Sequence, residues 1–517
     1  MRSRFRPEDA LLLLVALALT ALYVLVAGGN FPLDDSWIHQ TYARNLAQTG
    51  QWAFVPGVPS AASTSPLYTV VLTVGYWLNI PFRLWAHGLG AVMLGVTGML
   101  GLRLAERFAP NVKRIGLISG LALVFTWHLI WGAASGMETP IFAMFTLLLP
   151  WLITRQIGDV GARHAVSLQE DNPPQTILSA VVFGVAAALT TLTRAEGVLL
   201  VGLMGVVLLI VRPSVRTVRW GVIAGIAFAL VLTPYLALNY SLTGGPLPNT
   251  AAAKIMYAQP YLTLSLVYRL QLMLTPLAAG GQLLLIPGLV AYVIGVIRRA
   301  RQDRRWLLAL TLPAWGFGLI LLYAIQLPLN FQHGRYVMPA LPALVLAGVV
   351  GTAWLIRSAN ASLIGRVLTR VLALSTAVIF LGFTFGLGLQ AHVQDVTIID
   401  EEMVRSAQYI AENIPATDLL AVHDIGAVGY FAPRRIIDTA GLVTPETIPF
   451  VWDDAGMWAY LREHGAVYLM GLEDQIPKDT DNAPQLCLDF TTGGQTAPRA
   501  GGSNMTIYYL AWAGGCP

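Results

Sequence analysis

Long apolar runs separated by short polar clusters dominate the first three quarters of the chain. Runs of roughly 17–25 residues, the length a helix needs to cross a bilayer, fall near residues 10–28, 87–103, 115–131, 140–154, 177–193, 197–211, 220–239, 277–297, 306–325, 336–356 and 371–390. This pattern predicts eleven spanning helices. The run from Ala10 to Gly28 is long for a signal sequence and its exit, Ala27-Gly28-Gly29-Asn30-Phe31, lacks a small-x-small cleavage site, so it reads as a retained first span. Pro66 to Pro81 is apolar but short and opens on Ser65-Pro66-Leu67-Tyr68, which suits an interfacial or re-entrant helix.

Beyond about residue 392 the period changes. Asp400 to Asn413 reads as an amphipathic helix stopped by Pro415, and Leu419 to Asp424 and Arg435 to Asp438 read as strands. Ala455 to His464 reads as a helix running into the strand Ala466 to Leu472, and Thr506 to Trp512 as a closing strand. The stretch 473–505, rich in Asp, Pro, Gly and Thr, reads as loop. The chain is thus expected to be a polytopic α-helical membrane domain, residues 1–391 with a first external loop at 29–86, followed by an α/β domain, residues 392–517.

Composition agrees: 56% of the residues are hydrophobic and 12% charged, which excludes an ordinary soluble protein. Charge sets the orientation. Arg2, Arg4, Arg6, Arg103, Arg107, Lys113, Arg114, Arg155, Arg163, Arg212, Arg216, Arg219, Arg298, Arg299, Arg301, Arg304, Arg305, Arg357, Arg366 and Arg370 fall on one side of the eleven spans and mark it as cytoplasmic. Counting Pro66 to Pro81 as a span would push the later basic clusters outward. With the N-terminus in the cytoplasm by this charge bias, an odd number of spans places the α/β domain outside it, as a multi-pass protein of the cell membrane. Residues from 392 onward carry 17 of the 28 acidic residues but only 6 basic ones, unlike a cytoplasmic tail. Both cysteines, Cys487 and Cys516, lie there, and a disulfide or two free thiols are equally open.

The outward loops of the membrane half hold only four acids, Asp34, Asp35, Glu138 and Glu196, and six basic residues, Arg44, Arg83, Arg194, Lys254, Arg269 and Arg335. Such sparse charge, gathered at span ends, suggests one cavity at the outer leaflet. Asp34 and Asp35 open a short helix that carries His39 and Arg44 before Gly50 stops it, although either acid could simply cap that helix. Glu138 precedes a span with Pro140 in its first turn, where a carboxylate also suits the helix dipole. Arg194 and Glu196 share a tight hairpin tip that a local ion pair would explain. Lys254, beyond the Pro248-Asn249-Thr250 turn, could only snorkel, and His333, Arg335 and Tyr336 could anchor a span at the interface.

No zincin motif, zinc-spaced cysteine pair or calcium loop occurs, so no metal or other cofactor is expected, though adjacent aspartates could hold a hard divalent ion. Without a P-loop or dinucleotide fingerprint, ATP and NAD are not expected partners, nor is nucleic acid. An activated substrate drawn from the lipid bilayer is.

The ordered series Asp34-Asp35 with Tyr42-Ala43-Arg44-Asn45-Leu46, Ser65-Pro66-Leu67-Tyr68, Gly136-Met137-Glu138-Thr139-Pro140, Thr193-Arg194-Ala195-Glu196-Gly197, Pro248-Asn249-Thr250 with Lys254, and Gly334-Arg335-Tyr336 resembles the GT-C superfamily of integral-membrane glycosyltransferases. Within it the series is similar to the branch of mycobacterial terminal arabinofuranosyltransferases and related bacterial mannosyl- or arabinosyltransferase-like proteins. Gly426-Ala427-Val428-Gly429-Tyr430 and Ile437-Asp438-Thr439-Ala440-Gly441-Leu442 look like that branch's external domain. Ala195, where Pro is expected, and the loop from Pro56 to Ser65 depart from it and leave the sugar open. The resemblance implies a polyprenyl-phosphate-linked sugar donor, a cell-envelope glycan, glycolipid or protein acceptor, and inverting transfer with Asp34, or else Asp35, as general base. Arg44, Lys254 and Arg335 would meet the donor phosphate. His39, Glu138, Arg194, Glu196, Asn249, His333 and Tyr336 would shape the substrate pocket, with Trp452, Trp458 and Tyr460 available for sugar stacking. A transporter or flippase of lipid-linked sugars, which would place ionisable groups nearer mid-membrane, and a lipid-linked glycan ligase are the alternatives.

Overall fold

The structure is a computed structural model that describes residues 5–157, 175–478 and 481–516; Arg2, Arg4 and Arg163, three of the residues that orient the chain above, lie outside the described residues. After α1 (Pro7–Val26) come α2 (Asp34–Thr49), a small hairpin of β1 (Ala53–Val55) and β2 (Val58–Pro59), and α3 (Pro66–Trp77). Then follow α4 (Phe82–Phe108), α5 (Ile115–Val124), α6 (Trp127–Ala134), α7 (Thr139–Ile157), α8 (Ile177–Thr193), α9 (Gly197–Val211) and α10 (Val215–Thr243). Two further helices, α11 (Asn249–Leu262) and α12 (Leu266–Ala278), precede α13 (Ile286–Ala300), α14 (Thr311–Gln326), α15 (Leu341–Ser358) and α16 (Leu363–Gly382).

Among the described residues eight helices are long and apolar enough to cross a membrane, or nine if α5 and α6, bent by 54°, form one span; α8 and α9 are shorter apolar helices. Together these coincide with the eleven expected runs, and the chain is a polytopic α-helical membrane protein. The lipid-facing stripe is visible on α10, where Val218, Val222, Ile226 and Leu230 recur at helical spacing and are all exposed. Helix α3, with 12 residues, is too short to span and packs beside α2.

The last apolar run differs from expectation. Helices α16, α17 (Gly388–Ile399) and α18 (Arg405–Asn413) form one rod, Leu363–Asn413, continuous through π-helical turns at Phe383–Leu387 and Asp400–Val404. The amphipathic helix expected to begin a separate unit is the end of this rod, a continuity that residues 389–413, which contain no Pro or Gly, permit. The first π turn leaves the Thr384 carbonyl free to accept from the Tyr23 hydroxyl at 2.7 Å, while the Thr384 hydroxyl donates to the Phe125 carbonyl at the α5–α6 bend, also at 2.7 Å.

The C-terminal region is α/β. A five-stranded sheet of β3 (Leu420–Val422), β4 (Ile436–Asp438), β5 (Tyr468–Gly471), β6 (Gln485–Thr491) and β7 (Thr506–Ala511) has the order β4-β3-β5-β7-β6. Strands β4, β3 and β5 are parallel, joined by α19 (Gly426–Phe431) and α20 (Asp454–Glu463), and β7 and β6 add antiparallel. Strand β6 lies in the stretch read as loop; its seven residues are flanked on both sides by the turn-forming composition that hid them. Cys487 on β6 is bonded to Cys516. Trp458 is fully buried among Ala421, Leu461 and Leu469 and is therefore not free for stacking, whereas Trp452 is exposed with its indole N–H donated to the Met256 carbonyl of α11 at 3.0 Å.

Candidate functional site

Helix α2 lies between the membrane bundle and the sheet domain, and its two faces go to different neighbours. Neither Asp34 nor Asp35 caps it; the cap residue is Leu33, in extended conformation. Asp34 reaches instead to the sheet domain, where its two oxygens accept the N–H groups of Gly426 at 2.6 Å and Ala427 at 2.8 Å and so cap α19. Burial and the neighbouring Asp424 push this carboxyl up, to about 8, against those two donors. At the other end of α19, Arg44 donates to the carbonyls of Tyr430 at 2.7 Å and Gly429 at 3.1 Å and lies 4.7 Å over the Tyr430 ring. The fit is close: a Cβ on Gly426 would stand 2.0 Å from the Asp34 carbonyl oxygen, and one on Gly429 would stand 2.1 Å from the Phe54 ring. Arg44, expected at a donor phosphate, is thus used to seat α19.

Asp35, about 100° further round the helix, faces a cavity of about 630 Å³. Thr64, Glu138, Arg194, Glu196, Lys254, Arg335 and Tyr336 line its polar end, and Val198, Leu199, Leu232, Leu236 and Leu322 line an apolar wall between α9, α10 and α14. Asp35 pairs with Arg335, Oδ2 to Nη2, at 2.5 Å. Burial alone would raise the Asp35 carboxyl, but Arg335 and Lys254 outweigh it and hold it below the usual range. The buried Arg335 guanidinium also donates to the Tyr336 hydroxyl at 3.3 Å, which leaves Nε and Nη1 with no protein partner. The Lys254 ammonium stands 5.3 Å over the Tyr336 ring.

Glu138 and Arg194 form the next layer. His39 lies with Nε2 3.6 Å from Glu138 and Nδ1 3.3 Å from the Thr69 hydroxyl. Burial works to raise the Glu138 carboxyl, yet His39 and Arg194 bring it down to about 2. Arg194 donates through Nε to Glu196 at 2.7 Å and through Nη2 to the Tyr323 hydroxyl at 2.6 Å, and that hydroxyl donates to Glu196 at 2.5 Å. Tyr323, absent from the residues singled out in the sequence, sits in the last turn of α14; an aromatic hydroxyl at the loop end of a span was the available signal.

Asn249 sits beside the cavity, its backbone N–H bound to the Ala61 carbonyl at 3.1 Å. His333 turns away to Asp395 of α17, at 2.8 Å, between Trp127 and Trp131. Among the described residues no three His, Cys, Asp or Glu side chains are grouped so as to hold a metal ion.

A family model described as a domain of unknown function (DUF8728) matches residues 392–508. The chain is 28% identical over 362 residues to the terminal beta-(1->2)-arabinofuranosyltransferase of Mycobacterium tuberculosis (strain ATCC 25618 / H37Rv), a match that covers 65% of this chain and 55% of that protein. To the protein of the same name from Corynebacterium glutamicum it is 26% identical over 345 residues, 60% of this chain and 47% of that one. The chain therefore spans about half the length of these curated relatives. Its fold is similar to that of ArnT from Cupriavidus metallidurans, solved bound to undecaprenyl phosphate, with a TM-score of 0.57 at 15% identity over 98% of this chain and 99% of that one.

Proposed function

We propose that this chain, which has the fold of the GT-C integral-membrane glycosyltransferases and resembles terminal arabinofuranosyltransferases in sequence, moves a sugar from a polyprenyl-phosphate donor to an acceptor at the outer membrane surface. One observation carries the proposal: a half-buried carboxylate, Asp35, held in its ionised form by two cations, Arg335 and Lys254, at the polar end of a cavity whose apolar wall runs down between spanning helices. A phosphate with a long isoprenoid chain matches both ends of that cavity, and the solved relative named above carries such a lipid.

In this mechanism the donor phosphate takes the free Nε and Nη1 of Arg335 and the Lys254 ammonium. Sharing Arg335 with a second anion weakens its hold on Asp35, so the carboxylate becomes more basic as the donor binds. The acceptor hydroxyl attacks the anomeric carbon, its proton passes to Asp35, the bond between that carbon and the phosphate oxygen breaks, and the lipid phosphate leaves with the electron pair. Asp35 rather than Asp34 is the base, because both Asp34 oxygens are occupied by backbone N–H groups. Glu138, Arg194, Glu196 and Tyr323 form a rigid wall around the sugar.

The sheet domain lies outside the cytoplasm in this reading, supported by the Cys487–Cys516 disulfide, which persists in oxidising compartments. Purified protein supplied with polyprenyl-phosphate-linked arabinose and mannose tests the activity. No transfer from either, with a lipid-linked sugar instead carried across vesicles, would establish the transporter in its place. Labelling of Cys487 and Cys516 by a membrane-impermeant maleimide in intact cells after reduction tests the orientation; labelling only after lysis would reverse it.

A further inference from the structure

Arg335 follows directly on a turn in which three consecutive residues are left-handed: Gln332 at φ 37°, His333 at φ 58° and Gly334 at φ 72°. Glycine takes this conformation freely, but the two residues before it carry Cβ atoms that crowd their own backbone. The turn closes on the Phe331 carbonyl, which accepts the N–H of Gly334 at 3.0 Å and that of Arg335 at 3.3 Å. Strain of this kind persists only where the surroundings hold it, and here the hold centres on His333. Its Nε2 lies 2.8 Å from Asp395 Oδ2, and its ring stands edge-on to Trp127 and Trp131 at centroid distances of 5.2 and 5.6 Å. The same Asp395 oxygen accepts the indole N–H of Trp131 at 2.8 Å. Neither His333 nor Asp395 lines the cavity.

We infer, building on the assignment of the donor phosphate to Arg335, that His333 and Asp395 are positioning residues for that arginine. Asp395 ties the strained turn to the rod, and the turn aims the guanidinium so that Nη2 meets Asp35 while Nε and Nη1, both buried, are left without a protein partner. Without the tether the turn relaxes, the Arg335 backbone rotates with it, and the guanidinium loses its aim without losing its charge.

Equilibrium binding of radiolabelled undecaprenyl phosphate to the full chain in nanodiscs tests this, with Arg335→Gln as the reference. Unchanged binding in Arg335→Gln would end the phosphate assignment, and the positioning role with it. Given a loss there, Asp395→Ala is expected to raise the Kd roughly tenfold and to add little further loss on top of Arg335→Gln, because both act through one side chain. Asp395→Asn, which keeps an acceptor for Trp131 and a polar partner for His333, should recover most of the affinity. His333→Gly accepts the left-handed backbone without strain yet drops the tether, so it should match Asp395→Ala and carries the same comparison should that variant not fold. Wild-type affinity in both Asp395→Ala and His333→Gly, or losses that add in full to that of Arg335→Gln, would overturn the positioning role and leave the phosphate assignment standing.

Discussion

At the junction of α2 with the sheet domain Asp34 has both oxygens taken by backbone N–H groups, whereas one residue on, at the cavity, Asp35 meets the side-chain cations Arg335 and Lys254. The helix separates them. Asp34, Trp37 and Arg44 share one face, where Trp37 packs against Tyr430 and Phe431 at centroid distances of 5.0 and 4.8 Å. Asp35, Ile38 and His39 share the other and border the cavity side. Saturated by the backbone, one acid holds two parts of the molecule together, while its neighbour faces a cavity and has only side-chain cations as partners. The same division separates Arg44, committed to carbonyl oxygens, from Arg335, whose Nε and Nη1 have no protein partner.

The largest effect expected from this contrast is at Asp35. Asp35→Asn should lower kcat for sugar transfer by roughly 10³-fold in a folded protein, and retention of more than a tenth of the wild-type rate would remove it as the base. Next, Arg335→Gln and Lys254→Met should each raise the KM for the lipid-phosphate donor by about 10- to 100-fold while leaving the acceptor KM close to wild type; equal rises for both substrates would point to general loss of the pocket. Arg44→Gln should leave donor KM within a fewfold of wild type, and a rise matching that of Arg335→Gln would erase the distinction between the two arginines.

At the junction the readout is stability. Asp34→Ala leaves the N–H groups of Gly426 and Ala427 unpaired and should cost about 2–3 kcal/mol, seen as earlier melting or faster proteolysis of the sheet domain, with transfer still measurable below the melting range. Turnover as low as that of Asp35→Asn would merge the two acids into one function. The smallest effect is in acid. The Glu138 carboxyl is brought from its ordinary 4.5 to about 2, so the unfolded chain binds the extra proton within that window. Its contribution to stability is complete above about 4.5 and disappears as pH falls toward 2. Melting temperature against pH should therefore fall more steeply over that window in the native protein than in Glu138→Gln, and parallel curves would contradict the depressed value.

The fold was largely legible because a bilayer imposes length and composition on each span: a helix without about 20 apolar residues leaves polar backbone in hydrocarbon. Even the tight α8–α9 hairpin could be read to the residue from Thr193 to Gly197. The continuity of the rod was not, since helix propensity beyond residue 390 is compatible with a break or with none, and packing decides. Strand β6 was hidden because its partner β7 lies over ten residues away and supplies the hydrogen bonds that make it a strand.

What the sequence determined by itself is the set of charges that the loops on one side of the spans could offer, because each polar group near a membrane is costly and so few are present. It also determined that Asp35, Lys254 and Arg335, more than 200 residues apart at the extremes, belonged to one small inventory. Only the tertiary structure decided which of them face one another. That choice depends on the rotation of α2 between its two neighbours and on backbone N–H groups of α19, and a donor that every residue but proline carries leaves no mark in the sequence.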